Sequence, residues 1–332
     1  MAEDKYSHRE RIERIMASEK TDRMAASIWR HFYHRESTPG NLAAAMLEFQ
    51  KKYDWDFMKI NPRASYHVED WGCELEWSTD EFTKHTKTKF AVKEIADWDK
   101  IDILPVTSPI LADHLKTISL IKKDSDPNLP LLMTIFNPLG IARYLIGSTA
   151  RLMEHLKIEE SKVCEALERI TATYEIFIKE CLNAGADGIF YATLEFASSE
   201  TMSLKQYNKI CRPLDVRLIK ATGTEALNIL HVCHSNNYLA ELTDYSVKLI
   251  NWESANPTNM NLDAFLQKFP DKVAIAGLDD KGWLWHSQPD EIKNEISRLK
   301  HKYQNDRLIF GPGCAIDPQV PGTNLQAVRN NL

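Results

Sequence analysis

The chain has 332 residues, enough for one large domain or two ordinary ones with a substantial core. Hydrophobic residues make up 43 % and charged residues 27 %, the balance of a soluble globular protein. The net charge of −6, with acids and bases interspersed, argues against a nucleic-acid groove or a basic membrane-binding patch.

Residues 1–14 are charged and carry no apolar signal core, and no window approaches transmembrane length, so a cytoplasmic location is expected. Six cysteines are scattered at Cys73, Cys164, Cys181, Cys211, Cys233 and Cys314. In a reducing compartment such residues are buried thiols or metal ligands more often than bridges. There is no repeat, low-complexity tract or long linker, and one domain over residues 1–332 is the simplest organisation.

A charged helical lead-in occupies residues 7–23. Eight short apolar runs then read as strands: Ala25–Arg30, Phe57–Asn61, Pro130–Asn137, Gly188–Thr193, Leu227–Cys233, Lys248–Glu253, Val273–Gly277 and Leu308–Gly311. Helix-like segments lie between most of them. Ser161–Ala184 carries Val163, Ala166, Ile170, Tyr174, Ile176 and Cys181 at roughly helical spacing and stops at Gly185. Leu204–Thr222, Leu262–Phe269 and Pro289–Tyr303 follow the same pattern. Strands alternating with helices predict a parallel sheet, and eight of them predict an α/β protein of the (β/α)8 TIM-barrel type. An open doubly wound sheet is the alternative, but no GxGxxG follows a strand. Residues 62–100 are too long for one crossover. Within them Cys73–Trp77 and Phe82–Phe90 alternate like a β-hairpin set over the barrel mouth, with Trp71 and Trp77 as its anchors.

Barrel chemistry gathers at the C-terminal strand ends. His231 and Cys233 end the fifth run two residues apart, so in a strand they point the same way. Cys314 follows the last run in a Gly-Pro-Gly-Cys loop. One imidazole and two thiolates are soft or borderline ligands that suit Zn2+, and three ligands leave a fourth position open for substrate. An isolated His-x-Cys in a strand is more often core packing, and the distant Cys314 is what raises the metal reading. His234 is an alternative ligand if a turn begins there. Glu253 is a possible fourth ligand or orienting group. Asn61, Asn137, Tyr191 and Glu253 are substrate-binding candidates through their strand-end positions.

These residues carry a resemblance. RERIERIMASEKTDR, DWDFMKINPRA, EDWGCELEW, FNPLGIARYLIG, NAGADGIFYAT, ILHVCHSN and GPGCAIDPQVPGTNLQAV, in this order, make the chain similar to the uroporphyrinogen decarboxylase superfamily of (β/α)8 barrels from about Glu10 to Leu332. The resemblance implies one of two chemistries. In the zinc-dependent branch, which includes methylcobamide:coenzyme M methyltransferases, H-x-C and a late G-C-x-I hold the metal, and a methyl group passes to or from a corrinoid protein. Here these are His231, Cys233 and Cys314. The branch commonly has Gly after the first Cys, where this chain has His234. The other chemistry is cofactor-free decarboxylation of a porphyrinogen. That branch has a glycine loop with an early Arg and an Asp after the second strand. This chain reads WRHFYHRE and Asn61 instead, although Tyr144 matches a tyrosine of the decarboxylase pattern. The first implication is the stronger: a methyltransferase with Zn2+, a corrinoid-protein partner docked on the C-terminal face, and a small thiol, tetrahydrofolate or methylated compound as acceptor or donor.

Overall fold

The computed structural model describes residues 4–304 and 306–332. Eight parallel strands form one curled sheet: β1 Ala25–Ala26, β2 Met58–Ile60, β3 Leu131–Phe136, β4 Gly188–Ala192, β5 Ile229–Val232, β6 Leu249–Trp252, β7 Val273–Leu278 and β8 Leu308–Pro312. The ladder runs β1-β8-β7-β6-β5-β4-β3-β2, the order of a TIM barrel. No strand ladder joins β1 to β2. Single bonds close that seam: Asp56 N donates to Ala26 O at 2.9 Å, Ser27 Oγ to Phe57 O at 2.6 Å, and Ala26 N to Asp56 Oδ2 at 2.8 Å. The first predicted strand is therefore shorter than expected. Beyond Ala26 its run continues only as an isolated bridge from Arg30 to Ile316.

The period of two along each strand sorts side chains between two cores. Leu132, Phe190, Ile229, Leu249, Val273, Ile275 and Ile309 fill the barrel interior with Trp29 and Phe57. Their neighbours Leu131, Met133, Tyr191, Leu230, Val232, Ile250 and Trp252 pack outward against the helices. The charged lead-in has a structural task. Ser7 and Glu10 form a capping box that starts the helix His8–Met16, and its Ile12 and Ile15, three apart on one face, join the interior core. The buried Arg11 of that helix binds Asp22 at 2.8 Å and Asp56 at 2.6 Å. The predicted helix over 161–184 is Glu160–Asn183, but Ile176 is 43 % exposed and does not belong to its buried face.

The insertion holds the expected antiparallel hairpin, Glu74–Glu76 against Thr86–Lys89, with an irregularity at Glu74/Leu75. It is tied to the barrel mouth by Arg30 to Glu81 at 2.7 Å and by His85 to Glu36 at 3.4 Å. Trp71 is an anchor, donating to Asp102 O at 2.8 Å, whereas Trp77 is 40 % exposed.

Candidate metal centre

Strand parity sets the centre. Ile229 faces the interior core, so His231 faces inward above it, while Leu230 and Val232 face out. In the β5–β6 ladder His231 is paired with Asn251. His231 Nδ1 lies 2.6 Å from Asn251 Oδ1. The amide is oriented by its other end: Asn251 Nδ2 donates to Ile275 O at 2.7 Å and to Pro312 O at 2.9 Å. Oδ1 is therefore the acceptor, His231 carries its proton on Nδ1, and the Nε2 lone pair is left free. Burial, assisted by the nearby Lys59 charge, pushes the His231 pKa down to about 3, so the ring is neutral near pH 7.

Cys233 follows the end of β5 and is half-buried. Burial, together with the Cys314 thiol, drives its pKa well above the usual thiol range. The backbone N–H of Leu194 bonds to the Cys233 sulfur and opposes that rise. Leu194 has φ of 52°, a left-handed conformation that is strained for a branched side chain. It is accommodated by Gly140, where a Cβ would stand 2.4 Å from Leu194 Cδ1.

Cys314 is exposed as a residue, yet surrounding protein crowds its thiol, and desolvation raises the thiol's pKa as well. Gly313 permits the approach of this loop to β6, since a Cβ on it would lie 2.8 Å from Glu253 Cα. Gly313 N also donates to Asp280 Oδ1 at 2.8 Å.

Lys59 completes the group. It is buried, donates to Asn61 Oδ1 at 2.8 Å, and lies 4.8 Å from the centre of the Phe190 ring. Burial lowers its pKa to about 8, against the pull of the Cys314 and Cys233 sulfurs. One ammonium thus faces His231 and both thiols. Lys59 is not among the residues singled out from the sequence. Its spacing from Phe57 on the inward face is the signal that was available.

The other expected residues fall in different places. Tyr191 does not line the recess. It points outward, and its OH donates to the buried Asp215 at 2.5 Å. Phe190 and Ala192 hold the inward positions of that strand, so parity excludes Tyr191. Asn137 accepts from Gly140 N at 2.9 Å as a helix cap, with its Nδ2 buried and unpaired. Asn61 also has a buried, unpaired Nδ2. Glu253 sits at the rim, bound to Lys281 Nζ at 2.6 Å, and Asn251 performs the orienting task expected of it. His234 is exposed with φ of 69°, so a turn does begin there. Arg30 and Arg35 pair with Glu81 and Glu48 in a neighbouring cleft of about 920 Å3.

Among the described residues, no three His, Cys, Asp or Glu side chains stand close enough to hold a metal ion as they are placed. The donor chemistry nevertheless fits one: a neutral imidazole with its second nitrogen fixed, and two electrostatically coupled thiols in the same recess.

A (β/α)8 barrel with imidazole and thiol donors at the C-terminal end of its strands defines the class of protein. The chain belongs to the uroporphyrinogen decarboxylase (URO-D) family, whose sequence profile matches residues 9–331. It is 20 % identical to the methylcobamide:CoM methyltransferase MtbA of Methanosarcina mazei over 97 % of this chain and 96 % of that one. It is 24 % identical to the methylcobamide:CoM methyltransferase MtaA of Methanosarcina barkeri over 64 % of this chain and 61 % of that one. Its fold matches a methyltransferase from Methanosarcina mazei with a TM-score of 0.82, 17 % identity, and coverage of 98 % and 99 % of the two chains. A B12-independent methionine synthase from Shewanella sp. W3-18-1 matches with a TM-score of 0.56, 11 % identity, and coverage of 92 % and 96 %.

Proposed function

We propose that this protein is a zinc-dependent methyltransferase that moves a methyl group between a corrinoid protein and a small acceptor or donor. The observation that carries the reading is the electrostatic proximity of the Cys233 and Cys314 sulfurs at the ends of two strands, together with an inward-facing His231 whose Nε2 is left free by its bond to Asn251. The full-length similarity to a methylcobamide:CoM methyltransferase supports it. His231, Cys233 and Cys314 would hold the ion. Bound there, zinc supplies Lewis acidity, which lowers the pKa of a substrate thiol or polarises a methyl donor.

The chain's own groups prepare that chemistry. Asn251 keeps the His231 proton on Nδ1. The Leu194 N–H stabilises negative charge on Cys233. Lys59 sets an ammonium opposite both sulfurs, which balances thiolate charge. The hairpin over the mouth limits water at the recess. A corrinoid is too large for a barrel whose interior is filled by Trp29, Phe57 and Phe190, so its carrier protein docks on the C-terminal face. Six free thiols suit the reducing cytoplasm, where we place the protein.

Decarboxylation of a porphyrinogen comes second. Such a reaction builds positive charge on a pyrrole, and here Lys59, bound to Asn61, offers an ammonium where a carboxylate would be needed.

The test has two stages. Wild type from zinc-supplemented expression is expected to retain about one zinc per chain, and Cys233→Ser and Cys314→Ser to lose most of it. A single-turnover assay with methylated or reduced corrinoid protein, read by cobalt absorbance, should then show transfer by wild type only. Metal-free wild type, or full zinc occupancy in both variants, would defeat the reading.

A further inference from the structure

The cleft of about 920 Å3 beside the barrel mouth shares no residue with the candidate metal centre. It lies between the helix Pro39–Tyr53, the hairpin loop at Glu81 and Phe82, and residues 318–325 after β8. Its two carboxylates are engaged, Glu81 by Arg30 at 2.7 Å and Glu48 by Arg35 at 2.5 Å. Lys52 lines the same cleft as an exposed residue and has no ion-pair partner among the described residues.

One wall is the start of the helix Gly322–Asn330. Pro321 stands at its N-cap without a side-chain acceptor, and its first turn holds no acidic residue. Asn324 N and Leu325 N donate to Pro321 O at 2.9 and 3.4 Å, whereas among the described residues Gly322 N and Thr323 N have no acceptor. Free amides at the positive end of a helix dipole receive anions. Tyr53 adds an independent feature. It is 3 % exposed, with its ring held between Phe49 at 4.8 Å and Trp55 at 5.7 Å. Among the described residues its hydroxyl has no hydrogen-bond partner, and it is aimed at the helix start. A Cβ on Gly322 would stand 2.8 Å from Tyr53 Oη and 3.6 Å from Lys52 Nζ, so glycine is what lets both groups close over this backbone. Arg329 of the same helix donates to Asp54 O at 3.0 Å, which fixes the helix against the end of Pro39–Tyr53.

A hydroxyl, an ammonium and two amides thus present four unmatched donors around one point. A carboxylate offers two oxygens to such a set, and a phosphate monoester offers three. Beyond the donors the walls turn apolar, with Phe49, Val320, Leu325 and Phe82, the last 46 % exposed. We propose that this cleft is a second ligand site, for a small phosphate monoester with a flat apolar body. The phosphate sits on Tyr53, Lys52 and the amides of Gly322 and Thr323, and the body lies against Phe49 and Phe82. The site does not depend on the function proposed above, because it uses none of the metal-centre residues.

Calorimetric titration of the full chain, zinc-free and zinc-loaded, tests this with phenyl phosphate, inorganic phosphate, benzoate and benzyl alcohol. Phenyl phosphate should bind saturably at one site per chain, more tightly than inorganic phosphate or benzoate, with no binding of the alcohol. Tyr53→Phe and Lys52→Gln should each weaken it about tenfold, as expected for one lost charge-assisted contact. Gly322→Ala, whose methyl displaces Tyr53 Oη, should weaken it at least as much. Lys52→Arg, which keeps the charge, should retain most of the affinity. Lys51→Gln, one residue away on the same helix and outside the cleft, should leave it unchanged. No binding of phenyl phosphate, equal binding of benzoate or inorganic phosphate, or undiminished affinity in folded Tyr53→Phe and Lys52→Gln variants overturns the proposal. Phosphate binding that is the same with and without zinc is the expected result, and a protein that retains no zinc would defeat the metal reading alone.

Discussion

His231 Nδ1 and Asn251 Oδ1 are 2.6 Å apart, and this contact decides which nitrogen of the imidazole is available to a metal. The Asn251 amide cannot flip without losing its bonds to Ile275 O and Pro312 O, so the tautomer is imposed by the backbone of two further strands. Asn251→Ala removes the acceptor and releases both carbonyls. Zinc affinity should fall roughly 10- to 100-fold, the usual effect of deleting an outer-shell partner. Competition with a chromophoric chelator measures this, and unchanged affinity would mean that His231 needs no such support.

Gly140 couples a helix start to Cys233. A methyl group there would meet Leu194 Cδ1 at 2.4 Å and the capping Asn137 Oδ1 at 2.6 Å. Gly140→Ala should therefore destabilise the fold by about 1–3 kcal/mol through overpacking. Moving Leu194 also withdraws its N–H from the Cys233 sulfur, so zinc affinity should fall with stability. Urea unfolding and the same chelator assay report the two effects. If neither changes, Leu194 yields freely and its left-handed backbone has no bearing on the site.

Tyr191 supplies a contrasting case. Its hydroxyl, with those of Tyr207 at 2.5 Å and Tyr245 at 2.8 Å, satisfies the buried Asp215. Tyr191→Phe should cost about 1.5–3 kcal/mol, the worth of one hydrogen bond to a charged group. Substrate KM should not move. A raised KM at unchanged stability would return Tyr191 to the recess.

What was legible in the sequence follows the range of the forces involved. Alternation of apolar runs with helical spacing is local, and eight strands and the hairpin were visible from it. His231 and Cys233 stand out in the sequence because spacing within one strand would give them a common face; the strand itself ends at Val232, one residue short of Cys233. Tyr191 lies at a strand end but on the outward parity, and Phe190 beside it, on the inward parity, carries that information. Asn251 as the partner of His231 depends on the register between two strands, which no local pattern encodes. The short β1 reflects a seam closed by Asp56 and Ser27, side chains whose role appears only once both strands are in place.

At the opposite end of the barrel the same Asp56 makes a prediction about pH. Burial alone would raise its pKa, but His8, Arg23 and Arg11 outweigh that and hold it at about 2. His8 is the mirror case. Burial would lower it, while Asp54 at 3.2 Å and Asp56 at 3.3 Å raise it to about 9. A depressed carboxylate contributes stability above its unfolded pKa of about 3.9 that is lost as pH falls through about 2. A raised histidine contributes stability below its unfolded pKa of about 6.5 that is lost as pH rises through about 9. The two windows overlap between about pH 4 and 6.5, where this network should stabilise the lead-in helix most. His8→Gln keeps hydrogen-bonding capacity but removes the charge. The difference in urea midpoint between wild type and His8→Gln should be largest below about pH 6.5 and shrink steadily towards pH 9. Asp56→Asn should be more damaging, about 3 kcal/mol, because it removes one of the two carboxylates on the fully buried Arg11, takes the charge that Arg23 pairs with, and weakens the β1–β2 seam. A His8→Gln difference that is constant from pH 5 to about pH 9 would show that packing, and not the imidazolium charge, holds the helix in place.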